Sequence, residues 1–128
     1  MAKPVDKKLY RNYLQKAGEM LDVAQYALAE SKYNAAVMAS IHCSISAMDA
    51  LAVFYFGKRH SGVHEQALDS LRGALSATEF KDVAKQFGGL VELKNQAEYQ
   101  PDLMGERQAA DAVSRASRIL SRMKQKLE

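Results

Sequence analysis

Proline occurs at only two positions, Pro4 and Pro101, and the long stretch between them holds no obligate helix breaker. The residues that fill it suit a helix. There are 20 alanines and 13 leucines against 12 valines, isoleucines and threonines together. That balance favours helix over sheet. At 128 residues the chain fits one domain, residues 1–128, with no internal repeat and no boundary. Hydrophobic residues make up 48% and charged residues 26%, which excludes a disordered or low-complexity chain.

Apolar spacing places the helices. Tyr10, Tyr13, Leu14, Ala17, Leu21, Ala24 and Leu28 recur at steps of three and four and predict a first helix over about 5–30. Pro4 falls where a first-turn proline is tolerated. Ser31 to Asn34 is a break. A second helix over about 34–56 carries Val37, Ile41, Ile45, Met48 and Ala52 and is apolar almost all round, as a central helix would be. Gly57 ends it, and GKRHSG reads as a polar loop. A third helix starts near His64, with Ala67, Leu68, Leu71 and Leu75, and weakens at Gly73. Thr78 suits the N-cap of a fourth, which Gly88-Gly89 would kink or divide. Pro101 and Gly105 mark a loop before a last helix over about 106–127. The expected fold is all-α, a four- to five-helix up-and-down bundle. Leu14, Leu21, Ile45, Met48, Leu71, Phe87, Val113 and Leu120 are its expected core. Val53, Phe54 and Phe56 add apolar surface that so small a bundle cannot cover, so a symmetric homodimer is expected.

Several chemistries are disfavoured. A lone cysteine, Cys43, excludes an internal disulfide and a multi-cysteine zinc site, and it fits a reducing, cytoplasmic setting. No apolar run approaches the ~20 residues of a membrane span, and MAKPVDKKLY lacks an apolar signal core; no membrane association is expected. Neither GKRHSG nor FGGL matches a phosphate-loop or dinucleotide fingerprint. No histidine has an acidic residue three positions before it, as a di-iron bundle would need. His60 and His64 have ligand-like spacing, but Gly62 sits between them in a loop. No metal and no cofactor are expected.

Net charge is +3, and from Arg107 to Lys126 six basic residues face one acidic residue, Asp111. Arg115, Arg118 and Arg122 share one helical stripe. It reads better as a solvated face near a helix C-terminus than as a phosphate-binding strip. His42 has Asp49 seven residues on and reads better as a satisfied core histidine than as a general base. Cys43 adjoins His42 but points about 100° away, so it reads as a small buried residue. Asp49 in an apolar helix needs a partner. Lys94 and Glu98 stand at i,i+4, and Tyr99 ends their helix. An interhelical ion pair with a tyrosine cap accounts for this set; a polar pocket at one end of the bundle is the functional alternative.

The run ASIHCSISAMDALAVFYFGKR, followed by HEQALDSL, LVELKNQAEY and DAVSRASRIL, resembles the HEPN domain family over roughly Lys32 to Leu120. The resemblance implies an all-α bundle that usually dimerises. It further implies either a metal-independent ribonuclease of toxin–antitoxin or defence systems, or an inactive binding partner of RNA, a nucleotide or a nucleotidyltransferase. Active members carry an arginine and then a histidine before the last helix. Here the matching segment is KNQAEY, with Lys94 for the arginine and Tyr99 for the histidine. Lysine lacks the bidentate fork, and a phenol is a poor base at neutral pH. Arg59 and His64 have the motif's spacing, but in the loop after helix 2, where the match reads as accidental. The expected function is therefore a non-catalytic HEPN-like binding or interaction module, RNA- or nucleotide-associated, with an antitoxin or nucleotidyltransferase partner; the alternative is a divergent metal-independent ribonuclease. The expected binding residues are Asp49, His64, Lys94, Glu98 and Tyr99.

Overall fold

A computed structural model describes residues 2–60 and 64–128, with the side chains of 2, 60 and 64–66 outside the description. The elements are β1 (Ala2–Pro4), a 3-10 turn (Lys7–Leu9), α1 (Tyr10–Ala29), α2 (Tyr33–Phe56) and β2 (Lys58–His60). They continue with α3 (His64–Asp69), a second 3-10 turn (Ser70–Gly73), α4 (Ala77–Tyr99) and α5 (Glu106–Leu127). α2 is central and packs against α1, α4 and α5.

Alanine lets these helices approach closely. Ala17 and Ala24 of α1, Ala36, Ala47 and Ala50 of α2, and Ala109, Ala112 and Ala116 of α5 are fully buried. Small side chains at the contacts shorten the distance between axes. Ser40 and Ser44 are buried in α2, and their hydroxyls donate to the carbonyls of Ala36 (2.8 Å) and Ser40 (3.1 Å). A polar group satisfied within its own helix can be buried without an outside partner. Leu14, Met48, Leu71, Phe87, Val113 and Leu120 join one core cluster, with Leu21 and Ile45 half-buried against it.

By length and composition α2 could cross a membrane: it has 24 residues and a mean hydropathy of 1.6 over its most apolar window. The absence of any span-length apolar run, expected from the sequence, is thus corrected. Asn34, Ser40, His42, Ser44 and Asp49 interrupt the run without lowering its average enough. The window is 72% buried inside the bundle, as a core helix would be.

Helix ends follow local chemistry. Ser31 takes a left-handed φ of 60° in the α1–α2 turn. Gly57 closes α2 at φ 65°, its amide donating to the Val53 carbonyl at 2.9 Å. Ser76, not Thr78, caps α4: its hydroxyl accepts from the Glu79 amide at 3.1 Å, and its own amide donates to the Glu79 carboxylate at 2.8 Å. The Met104 amide donates to the Asn34 side chain at 3.1 Å, pinning the α4–α5 elbow to the start of α2.

Other expectations are corrected. The first helix opens at Tyr10, and Pro4 lies in β1 rather than in a helical turn. β1 pairs antiparallel with β2 in the register Ala2↔His60, Lys3↔Arg59 and Pro4↔Lys58. Proline is tolerated at the open edge of so short a ribbon. Lys58–His60 of GKRHSG is therefore a strand. Gly88-Gly89 does not divide α4, which is continuous. Val53 is fully buried, so the uncovered apolar surface at the end of α2 is Phe54, Tyr55 and Phe56.

Candidate functional site

The last turns of α4 carry the polar set. Lys94 Nζ lies 2.9 Å from Glu98 Oε2 and 5.5 Å from the centroid of the Tyr99 ring. The ion pair is thus within one helix, not between helices as expected, because i,i+4 side chains share a face. The bond to Glu98 raises the Lys94 ammonium above its ordinary pKa. The same bond holds the Glu98 carboxyl below the usual carboxylate range, with smaller pulls from the Tyr99 hydroxyl and from His42. Tyr99 is 69% exposed and leaves its phenol open to solvent.

The remaining expected residues divide. Asp49 is buried at 6% exposure in α2 and is not without a partner. Lys94 pairs with Glu98 and not with it. His64 opens α3, and its side chain lies outside the described residues, as does that of His60, so the histidine of the Arg59–His64 match falls outside them too. The structure therefore brings together Lys94, Glu98 and Tyr99 of the five.

His42 is a correction. It is exposed rather than a core histidine. With Ala35, Met38, Ile45 and Ser46 it forms the strip of α2 that its neighbours leave partly uncovered. It lines a cleft of about 340 Å³ with Lys16, Glu19, Met20 and Ser46, and it is the weakest of the influences that lower the Glu98 carboxyl on α4. Sequence reasoning paired it with buried Asp49 and so missed this neighbour. Cys43, beside it, is fully buried, and burial pushes its thiol up to about 12, far from a neutral-pH nucleophile.

The arginines of α5 are also redirected. Arg118 and Arg122 both reach Asp82 of α4, at 3.4 and 3.5 Å. Arg115 pairs with Asp111 at 2.9 Å and donates to the Lys85 carbonyl at 3.1 Å. A Cβ on Gly89 would collide with the Arg115 guanidinium, so Gly89 is the gap through which that group reaches the α4 backbone. Lys126 pairs with Glu79 at 2.9 Å. The stripe is not a free phosphate strip; it is a polar seam between two antiparallel helices, solvated at Arg118, whose side chain stays 61% exposed. Reading Glu79 and Asp82 as one turn of acceptors against the reversed stripe could have found it.

Chemically, the elbow offers an ammonium already engaged by a carboxylate, and an exposed phenol. Such a set can hold an anion that displaces Glu98 from Lys94. Among the described residues, no three His, Cys, Asp or Glu side chains gather to hold a metal. An all-α bundle with a buried apolar central helix and a polar elbow before its last helix defines the class of this molecule. The family model of the HEPN domain matches residues 10–126, and the chain belongs to the HEPN family. No curated protein matches it.

Proposed function

We propose that the chain is a HEPN binding and interaction module that takes an RNA or nucleotide phosphate at Lys94 and Tyr99. The observation that carries this reading is the Lys94–Glu98 pair beside an exposed phenol, where catalysis would call for an arginine and an imidazole. The setting is cytoplasmic, beside a nucleotidyltransferase or an antitoxin. The module works as a homodimer. Leu103, 81% exposed, and Tyr99 stand together at the elbow amid charges of both signs, which suits an isologous contact. A second reading, a divergent metal-independent ribonuclease, draws support from His42, whose charge weakly lowers the Glu98 carboxyl.

RNA cleavage and nucleotide binding, measured in parallel on wild type, Lys94→Ala and His42→Ala, separate the two. Binding without cleavage, weakened about tenfold by Lys94→Ala, supports the module. Metal-independent cleavage lost in both variants establishes the ribonuclease. Wild-type behaviour of Lys94→Ala in both assays removes the elbow as a site.

A further inference from the structure

The opposite end of α2 carries a second surface that the elbow does not explain. Four aromatic rings run across it. Tyr10 and Phe54 lie 4.9 Å apart at 71°, Phe54 and Tyr55 5.1 Å apart at 75°, and Tyr55 and Phe56 6.3 Å apart at 48°. Phe54, Tyr55 and Phe56 keep 38–40% of their surface exposed. Phe56 continues into a cleft of about 330 Å³, floored by Ala52 and rimmed by Lys58 and Ser70. That volume takes one large apolar side chain.

Cations surround the rings. Lys3 of β1, Lys7 and Lys8 of the first 3-10 turn, and Lys58 and Arg59 of β2 meet at this end, and the Lys7 stem packs beside Gly57. Among the described residues no carboxylate is paired with them. Asp6 accepts from the Lys8 amide at 2.9 Å, and Asp69 pairs with Arg72 at 3.3 Å. An apolar ledge ringed by unneutralised cations is complementary to an apolar anchor flanked by carboxylates.

We propose that this end of the bundle docks an acidic polypeptide segment of another protein, one large apolar side chain entering the cleft at Phe56 and its flanking carboxylates meeting Lys58, Arg59 and the lysines of the N-terminal turn. Two other occupants fit worse. A second copy would bring the same cations face to face, and like charges across an isologous contact repel. A single-stranded nucleic acid needs free ring faces for its bases. Here the Arg11 guanidinium covers Tyr10 at 5.4 Å, and the rings meet edge to face. Phe56 lies close against Gly73, where an added Cβ would stand 3.1 Å from its ring.

The test is fluorescence anisotropy with a labelled peptide in which glutamates flank a single phenylalanine, titrated with the full chain. Binding is expected to weaken about tenfold or more in Lys58→Glu, in Phe56→Ser and on raising salt, and to be lost when the peptide glutamates become lysines. Lys94→Ala leaves it unchanged, so failure here is distinguishable from failure at the elbow. Circular dichroism and the binding of Phe56→Leu, a smaller truncation, separate a lost contact from a lost fold. Equal binding of the lysine peptide, no binding by the folded chain, or tighter binding of a uridine oligonucleotide sensitive to Phe56→Ser would each overturn the proposal. Concentration-dependent self-association abolished by Phe54→Ser would overturn it in favour of a second copy.

Discussion

The arginines of α5 and the lysines around the end of α2 differ in what stands opposite them. Arg115, Arg118 and Arg122 face Asp111, Asp82 and the backbone of α4, so their charge is answered within the molecule. Lys3, Lys7, Lys8 and Lys58 are exposed and Arg59 is half-buried, and among the described residues none of the five makes an ion pair. Spacing along the chain makes the first group conspicuous, because it repeats on one helix. The second group comes from three separate elements and gathers only when β1 pairs with β2. A cation's availability depends on its neighbours in space, and the more regular pattern proves to be the less available one.

The largest effect should come from the inner face of α5, which holds the helix whatever its arginines do. Leu120→Ala is expected to cost about 2–5 kcal/mol in denaturant unfolding. Leu21→Ala should lie at the bottom of that range or below it, since Leu21 is only half-buried. Losses under about 0.5 kcal/mol at both would break the register on which the comparison rests.

Next comes the seam itself. Gly89→Ala should destabilise by no more than about 1 kcal/mol, because the new methyl displaces only the flexible end of Arg115 while alanine adds helix propensity. In an Arg115→Ala background the obstacle is gone, and the same change should be neutral or gain up to about 1 kcal/mol from helix propensity. Additive effects in this double-mutant cycle would show that Arg115 does not lie against Gly89.

The smallest effect separates answered from unanswered charges by pH. The Ser76 amide, then Lys126, lowers the Glu79 carboxyl from 4.5 to about 2. A carboxyl whose pKa is depressed by folding stabilises the native state fully above its unfolded value. That contribution fades as pH falls from about 4.5 through about 2, where the folded form also takes up its proton. The difference in stability between wild type and Glu79→Gln should therefore shrink over that window in acid titrations. Lys58→Gln, with no ion-pair partner among the described residues to lose, should leave the acid profile unchanged and shift stability by no more than about 0.5 kcal/mol. A matching acid dependence at Lys58 would mean that it too has a carboxylate partner.

Much of the site was legible because it is local. Lys94 and Glu98 are one helical turn apart, so i,i+4 spacing alone brings them together, and Tyr99 follows on the same turn. Asp49 was recognisable as a charge in an apolar helix, but no spacing says which neighbour reaches it. His42 was misplaced for the same reason. Its own helix is apolar around it, and only the packing of α1, α4 and α5 leaves its strip open. Thr78 was a sound cap by residue type; Ser76 prevails because its hydroxyl and the Glu79 carboxylate can close a reciprocal pair.

From its residues alone this chain was bound to be a helical bundle with α2 at its centre. Scarce proline, abundant alanine and three-four spacing act over a few residues, where backbone geometry is the same in any fold. The tertiary structure decided what those helices do for one another. It turned Pro4 and the loop after α2 into a ribbon, made Gly89 a passage for Arg115, and gathered cations from three elements at the Phe54–Phe56 end of α2, with no ion pair among the described residues. Each of these joins residues far apart in the chain, and which side chains meet across such distances is set by how whole elements pack, not by the pattern along any one of them.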